Sequence, residues 1–178
     1  MKYRIPISML AAAIVAVAGH AGEDTAMARG AELLAPFKKN LMQALQSGLQ
    51  QGPADAISAC RDKAPAVAAG LSVDGVLVGR ASHRLRNPDN AVPEWVSPVL
   101  ESWLAPGAQA APVVVPLPGN RTGYIEPIVT QPLCLTCHGS SLAPEIAERI
   151  AADYPEDQAT GFEVGDLRGV FWAEFPSG

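Results

Sequence analysis

The sequence predicts an α+β domain, an antiparallel sheet with flanking helices and one long helix on its N-terminal side. Apolar residues recur at intervals of three and four from Asp24 to about Gln51, and β-rich runs bounded by glycine, proline and asparagine follow further on. The 16 prolines argue against a purely helical bundle, because a proline inside a helix deletes a hydrogen bond and crowds the turn before it. With 48% hydrophobic residues in 178, the chain can bury one core but not two large ones.

At the start, Lys2 and Arg4 precede an apolar run from Ile5 to Val17, and Ala16-Val17-Ala18 offers small residues for cleavage. Residues 1–21 therefore read as a signal peptide, which sends the remainder to the periplasm as one soluble domain over residues 22–178. The run contains Pro6 and is shorter than the ~20 residues that a spanning helix prefers. The net charge of −5 becomes more negative once Lys2 and Arg4 are removed, which excludes nucleic acid as a partner.

In the long helix Leu33, Leu34, Phe37, Leu41, Leu45 and Leu49 form the apolar stripe, and Pro36 marks a kink or a break within it. Gly52-Pro53 ends that segment, and a second helix opening near Asp55 puts Ile57, Cys60, Ala64 and Val67 on one inward face. Gly75 to Arg80 reads as a strand, and the basic loop after it, Ala81 to Asn90, closes in the turn Asn87-Pro88-Asp89-Asn90. Trp95, Val99 and Trp103 stand four apart and define a short helix from Glu94 to Leu104. Residues 105–119 lead through prolines into an edge strand around Val113-Val114-Val115, Gly119-Asn120 turns the chain, and Thr122 to Val129 returns. A helix from Leu142 to Ala152 is stopped by Tyr154-Pro155, and Gly161 to Phe175 supplies a closing strand.

The return strand delivers the chain to Cys134-Leu135-Thr136-Cys137-His138. Two thiols three apart with a histidine directly after the second have the spacing of covalent haem attachment. Each sulfur adds to one vinyl group, and one turn of backbone brings the imidazole beneath the iron. Cys134 and Cys137 are then tethers and His138 the proximal ligand of one haem c. Two other readings use the same thiols: a thioredoxin-like pair, which wants a βαβ context and leaves His138 idle, and a zinc site completed by Cys60 or His83, which lacks its second CxxC.

Arg80, Arg84 and Arg86 on the basic loop suit the two haem propionates, since a guanidinium pairs with a carboxylate through two hydrogen bonds. No Met, His or Cys follows His138, which excludes the layout of small electron-transfer cytochromes with an axial methionine downstream. The sixth position falls to Cys60, His83, Met27, Met42 or no residue at all. An inward cysteine is ordinarily a small packing residue, so spacing alone does not make Cys60 a ligand.

Several segments taken together carry a resemblance. They are Ala56-Ile57-Ser58-Ala59-Cys60 near Ala64-Pro65, Gly79-Arg80-Ala81-Ser82, Leu85-Arg86-Asn87-Pro88-Asp89-Asn90, Trp95, and Tyr124 to Ile128 before the cysteine motif. Tyr154-Pro155-Glu156-Asp157, Thr160-Gly161-Phe162 and Gly165-Asp166-Leu167-Arg168-Gly169 complete them. The chain resembles the single-haem c-type proteins with a PAS-like fold, which occur alone and as sensor modules of signalling proteins. The resemblance covers most of the chain beyond the signal peptide and implies a PAS-like antiparallel sheet. In some members of that family a cysteine of the upstream helix is the second iron ligand, a role that falls on Cys60 here. His83 departs from the lysine or other polar residue expected between the serine and the Arg-Asn-Pro turn.

The expected function is that of a periplasmic sensor of redox state or of a diatomic gas, with His138/Cys60 ligation and no enzymatic activity. A thiolate ligand favours ferric iron and a low potential, which suits sensing. Release of Cys60 on reduction or gas binding would move its helix, with the helix from Asp24 to Gln51 as output element or homodimer surface and a redox or signalling protein as partner. The alternative is a low-potential periplasmic electron-transfer cytochrome whose acidic surface docks a basic partner. A haem peroxidase ranks last for want of a distal His/Arg pair on a helix, and no catalytic triad or phosphate loop stands out.

Overall fold

The computed structural model describes residues 15–178, so most of the signal peptide read over residues 1–21 lies outside the described residues. Helix α1 spans Val15–Gln51 and α2 spans Pro53–Leu71. The first begins well before Asp24, where the leucine stripe starts, and it does not break at Pro36. Pro36 is exposed, so its missing N–H and its ring fall on the solvent side while Leu34 and Phe37 on either side are pinned in the core. The chain reverses at Gly52, whose φ of 144 is open to glycine, and Pro53 starts α2 at the position where a helix has no use for its N–H.

The sheet has four strands in the order β1-β4-β3-β2, all antiparallel: β1 Leu77–Ala81, β2 Val113–Leu117, β3 Arg121–Val129 and β4 Leu167–Pro176. β2 is the edge strand that Pro116 requires. The turn from β2 into β3 holds Gly119 and Asn120 at φ 72 and 56, the left-handed conformation that these two residue types tolerate best. β4 starts at Leu167 rather than near Gly161, and it lies inside the sheet, paired with β1 on one side and β3 on the other. Its near-continuous apolar run, Val170 to Trp172 with Ala173 and Phe175, suits a strand covered on both faces. Three further helices complete the chain, α3 Ser97–Leu104, α4 Leu135–His138 and α5 Pro144–Asp153. α3 starts at Ser97 rather than Glu94 because Pro98 is accepted only in a first turn.

The two faces of the sheet are covered differently. Leu34 and Phe37 of α1 pack against Val78, Tyr124, Ala173 and Phe175, and Phe37 meets Phe171 edge to face at 5.8 Å. On the other face Val96 and Leu100 pack against Ala81, Ile125 and Val170, with Trp95 and Trp172 edge to face at 6.0 Å. A third cluster lies off the end of the sheet, where Ile57 of α2 meets Ile146 and Ile150 of α5 together with Tyr154. Full burial of a side chain such as Phe37 contributes about 1.5–3 kcal/mol, so these clusters fix the helices on the sheet. No helix among the described residues is long and apolar enough to cross a membrane.

One contact gives a sharp test. Gly30 of α1 lies so close to Tyr124 that a Cβ added there would overlap the Cβ and Cγ of that side chain. In an ordinary exposed helix Gly→Ala stabilises by about 1 kcal/mol. Here Gly30→Ala should instead destabilise by about 1–3 kcal/mol through overpacking, read as a lower denaturant midpoint at unchanged slope. A rise in the midpoint would refute the seating of α1 on β3.

Candidate functional site

The site grows from the end of β3. Thr130 is fully buried, and its backbone exchanges hydrogen bonds with the strand-leading loop, Thr130 N–H to Asp166 O at 2.8 Å and Gly165 N–H to Thr130 O at 3.0 Å. A 3₁₀ turn over Pro132–Cys134 leads into α4, a single turn from Leu135 to His138. Residues three and four apart share a helix face, so Cys134, Cys137 and His138 come to one side.

His138 is fixed at its backbone carbonyl and at one ring nitrogen. Its Nδ1–H donates to the Ala159 carbonyl at 2.7 Å, and the Phe162 N–H donates to its own carbonyl at 2.9 Å. Burial pushes the imidazole down to about 3, with the Arg168 and Arg86 guanidiniums adding to the effect. The ring is therefore neutral near pH 7, its tautomer is set, and Nε2 presents a free lone pair.

Ala159 is itself held by a buried ion pair. Arg86 and Asp157, 12% and 8% exposed, join through Nε to Oδ1 at 3.1 Å and Nη2 to Oδ2 at 3.0 Å. The same guanidinium donates to the Cys137 carbonyl at 2.6 Å and to the Ala159 carbonyl at 3.3 Å, while the Ala159 N–H donates to Asp157 at 2.9 Å. One ion pair thus ties the cysteine helix to the loop beneath its histidine. Arg84 braces the same loop through the carbonyls of Gln158 and Thr160.

The remaining residues singled out by the sequence gather around this frame. Cys60 is half-buried on α2, on the side of Cys137 and Arg80. Ile57, one turn earlier, packs in the cluster that also receives Cys137. Arg61 to Asp153 at 2.8 Å and Arg149 to Ser58 Oγ at 2.7 Å pin α2 to α5. Arg80 is half-buried on β1, and burial lowers its pKa. His83 is held neutral by burial and by Arg168 and Arg84, its Nδ1 lacks a hydrogen-bond partner, and its ring meets Phe162 edge-on at 6.1 Å. Met27 packs against the core of Leu34 and Phe37 and Met42 faces solvent, so neither joins the motif.

Three residues of the site were not singled out from the sequence. Asp157 anchors Arg86. Phe162 is buried, with its ring edge-on to His138 at 6.4 Å and guanidiniums of Arg84 and Arg168 at 4.4 and 5.1 Å from its centroid. Arg168 donates to Ser82 Oγ at 2.8 Å, keeps a buried Nε without a partner, and has its pKa lowered to about 10 by burial and by Arg80 and Arg86. Their signal lay in the segments that carry the resemblance, where Asp157, Phe162 and Arg168 each stand in a quoted motif.

Breaking the ion pair from one side leaves an uncompensated buried charge, so Asp157→Ala should destabilise by about 3–5 kcal/mol. Urea unfolding of the purified protein measures it, and a loss below about 1 kcal/mol, the range of surface pairs, would contradict the geometry.

A search of curated proteins found no match. Among solved structures the chain is similar to the crystal structure of the cyanobacterial heme-protein Tll0287, with a TM-score of 0.60 and 22% sequence identity over 92% of this chain and 97% of that one. The family model named Tll0287-like, described as Tll0287, matches residues 24–176, which take in most of α1, all of α2, the whole sheet and the cysteine motif. This chain belongs to the Tll0287-like family.

Proposed function

We propose that the chain is a periplasmic single-haem c-type cytochrome that acts as a redox or diatomic-gas sensor, with Cys134 and Cys137 as thioether tethers and His138 and Cys60 as axial ligands. The observation that carries this reading is the fixed tautomer of His138, neutral and bonded through Nδ1 to Ala159, which leaves Nε2 as a metal-ready donor beside two thiols. The unpartnered Nε of Arg168, with Arg80 close by, supports it from the other side, because buried guanidiniums without carboxylates call for anions such as propionates. The solved structure that this chain resembles is named a heme-protein.

When bound, the haem supplies one-electron redox chemistry and an iron centre. The chain supplies the rest. Arg86 and Asp157 hold the loop that orients His138, and Phe162 covers that side from water. Cys60 contributes a negative sulfur, which favours ferric iron and lowers the potential. Cys60 also belongs to α2, which packs along α1, so its release would relax one of the ties that position both helices. The homodimer surface proposed for the sensor lies on α1, and a separate redox or signalling protein would read its movement. The second reading, a low-potential electron-transfer cytochrome, is favoured by the acidic balance of 18 Asp and Glu against 13 Lys and Arg, which suits docking to a basic partner.

Ultraviolet-visible and EPR spectra of the ferric holoprotein beside Cys60→Ala test the ligation. The wild type should be low-spin with a thiolate signature, and the variant should lose it. A thiolate signature that persists in Cys60→Ala would overturn Cys60 as ligand.

Acid provides a second measurement. Because the folded pKa of His138 lies near 3, below the ordinary 6.5, its contribution to stability is complete above pH 6.5 and erodes as pH falls toward 3. The urea midpoint of the protein without haem should therefore be flat above about pH 6.5 and fall as the pH drops toward 4. A midpoint unchanged between about pH 6.5 and 4 would mean that His138 titrates like an exposed histidine.

A further inference from the structure

We infer that His83 and Arg168 form a carboxylate-binding subsite, in which the Nδ1–H of His83 and the Nε–H of Arg168 hold one haem propionate, so that His83 serves the edge of the porphyrin and not its iron. The inference rests on the haem reading proposed above. Among the described residues four buried side-chain atoms lack a hydrogen-bond partner, and two of them are these nitrogens. A buried donor without an acceptor is costly, so two that border one feature of the fold call for a ligand that accepts from both.

The Ser82 hydroxyl and the Arg84 carbonyl, 3.0 Å apart, close a tight turn around His83. Arg168 Nη1 donates to both, at 2.8 and 3.4 Å, so its guanidinium lies across the base of the turn that carries the imidazole. Both side chains border the Phe162 ring, the imidazole edge-on at 6.1 Å and the guanidinium carbon 5.1 Å from the ring centroid. The His138 ring meets the same phenyl at 6.4 Å, which places the pair beside the residue that would bind iron. Arg84, 4.4 Å from the Phe162 centroid, adds a second positive charge there. Such surroundings suit an anion and oppose a metal cation at His83. Asp157 does not supply that anion to Arg168, since it is bonded to Arg86. A carboxylate has two acceptor oxygens, one for each stranded N–H.

Urea unfolding of the holoprotein and of the protein expressed without haem tests this with wild type, His83→Phe and His83→Gln. Without haem an apolar ring relieves the stranded nitrogen, so His83→Phe should leave the midpoint unchanged or raise it. In the holoprotein the same variant takes a donor from the propionate and should lower the midpoint by about 1 M. His83→Gln keeps a donor and should hold the holoprotein near wild type. An equal change in both forms would overturn the subsite and leave the haem reading intact. A ferric spectrum that changes spin state in His83→Phe would also overturn it, because His83 would then be an iron ligand. Wild type that emerges colourless from a host able to attach haem would remove the haem reading itself, and this inference with it. Where His83→Phe does not fold, the propionate-bending band in resonance Raman spectra decides, compared among wild type, His83→Gln and Arg168→Lys. Arg168→Lys keeps the charge but loses the Nε–H and should shift the band; a band identical in all three proteins would overturn the proposal.

Discussion

The site depends on the ion pair between Arg86 and Asp157. Removing two such charges from water costs several kcal/mol per ion, and a bare pair in a protein interior often fails to recover it. This one is offset because each partner has further work: the guanidinium reaches the Cys137 and Ala159 carbonyls, and the carboxylate receives the Ala159 N–H. The result is a rigid triangle of cysteine helix, basic loop and the segment 157–162. His138 gains its orientation from that triangle rather than from its own four-residue helix, which is too short to hold any side chain by itself.

The sheet explains why these segments meet. β3 runs into the cysteine motif and β4 emerges from the loop that ends at Asp166, so pairing of β3 with β4 forces the motif and the loop together. Their register slips between Ile128 and Val129, opposite Gly169 and Leu167. Gly169 has a φ of 156, and a Cβ there would strike the Ala81 carbonyl at 2.3 Å, so only glycine lets β1 and β4 close at this end. The bulge ends the ladder where Arg168 must turn toward Ser82.

Much of this was legible in the chain. The leucine and phenylalanine spacing of α1, the turn at Gly119-Asn120 and the edge position of Pro116 follow from local rules, because each depends on neighbours a few residues away. The cysteine motif announced itself through a spacing that little other chemistry needs. What local rules could not show was the central place of β4, since strand order is set by partners some ninety positions distant in β1. Nor could they separate the arginines of the basic loop. Charge and position alone made Arg80, Arg84 and Arg86 alike, and only the fold shows that two of them brace a loop while the third is left unpaired.

That division of labour has an electrostatic consequence. Arg80, Arg86 and Arg168 all lie close enough to His138 to depress its pKa, and Asp157 makes an ion pair with one of them. Burial lowers the pKa of both Arg80 and Arg168, which marks charge held against the preference of its surroundings. A fold tolerates such an excess where an anion completes it. Two propionates and one cysteine sulfur would bring the negative charge that Asp157 alone does not supply. The surplus is then not a defect of packing but the imprint of a bound group. On this reading the apoprotein should be the strained form, with the segments around His138 the first part of the chain to loosen when that group is withheld.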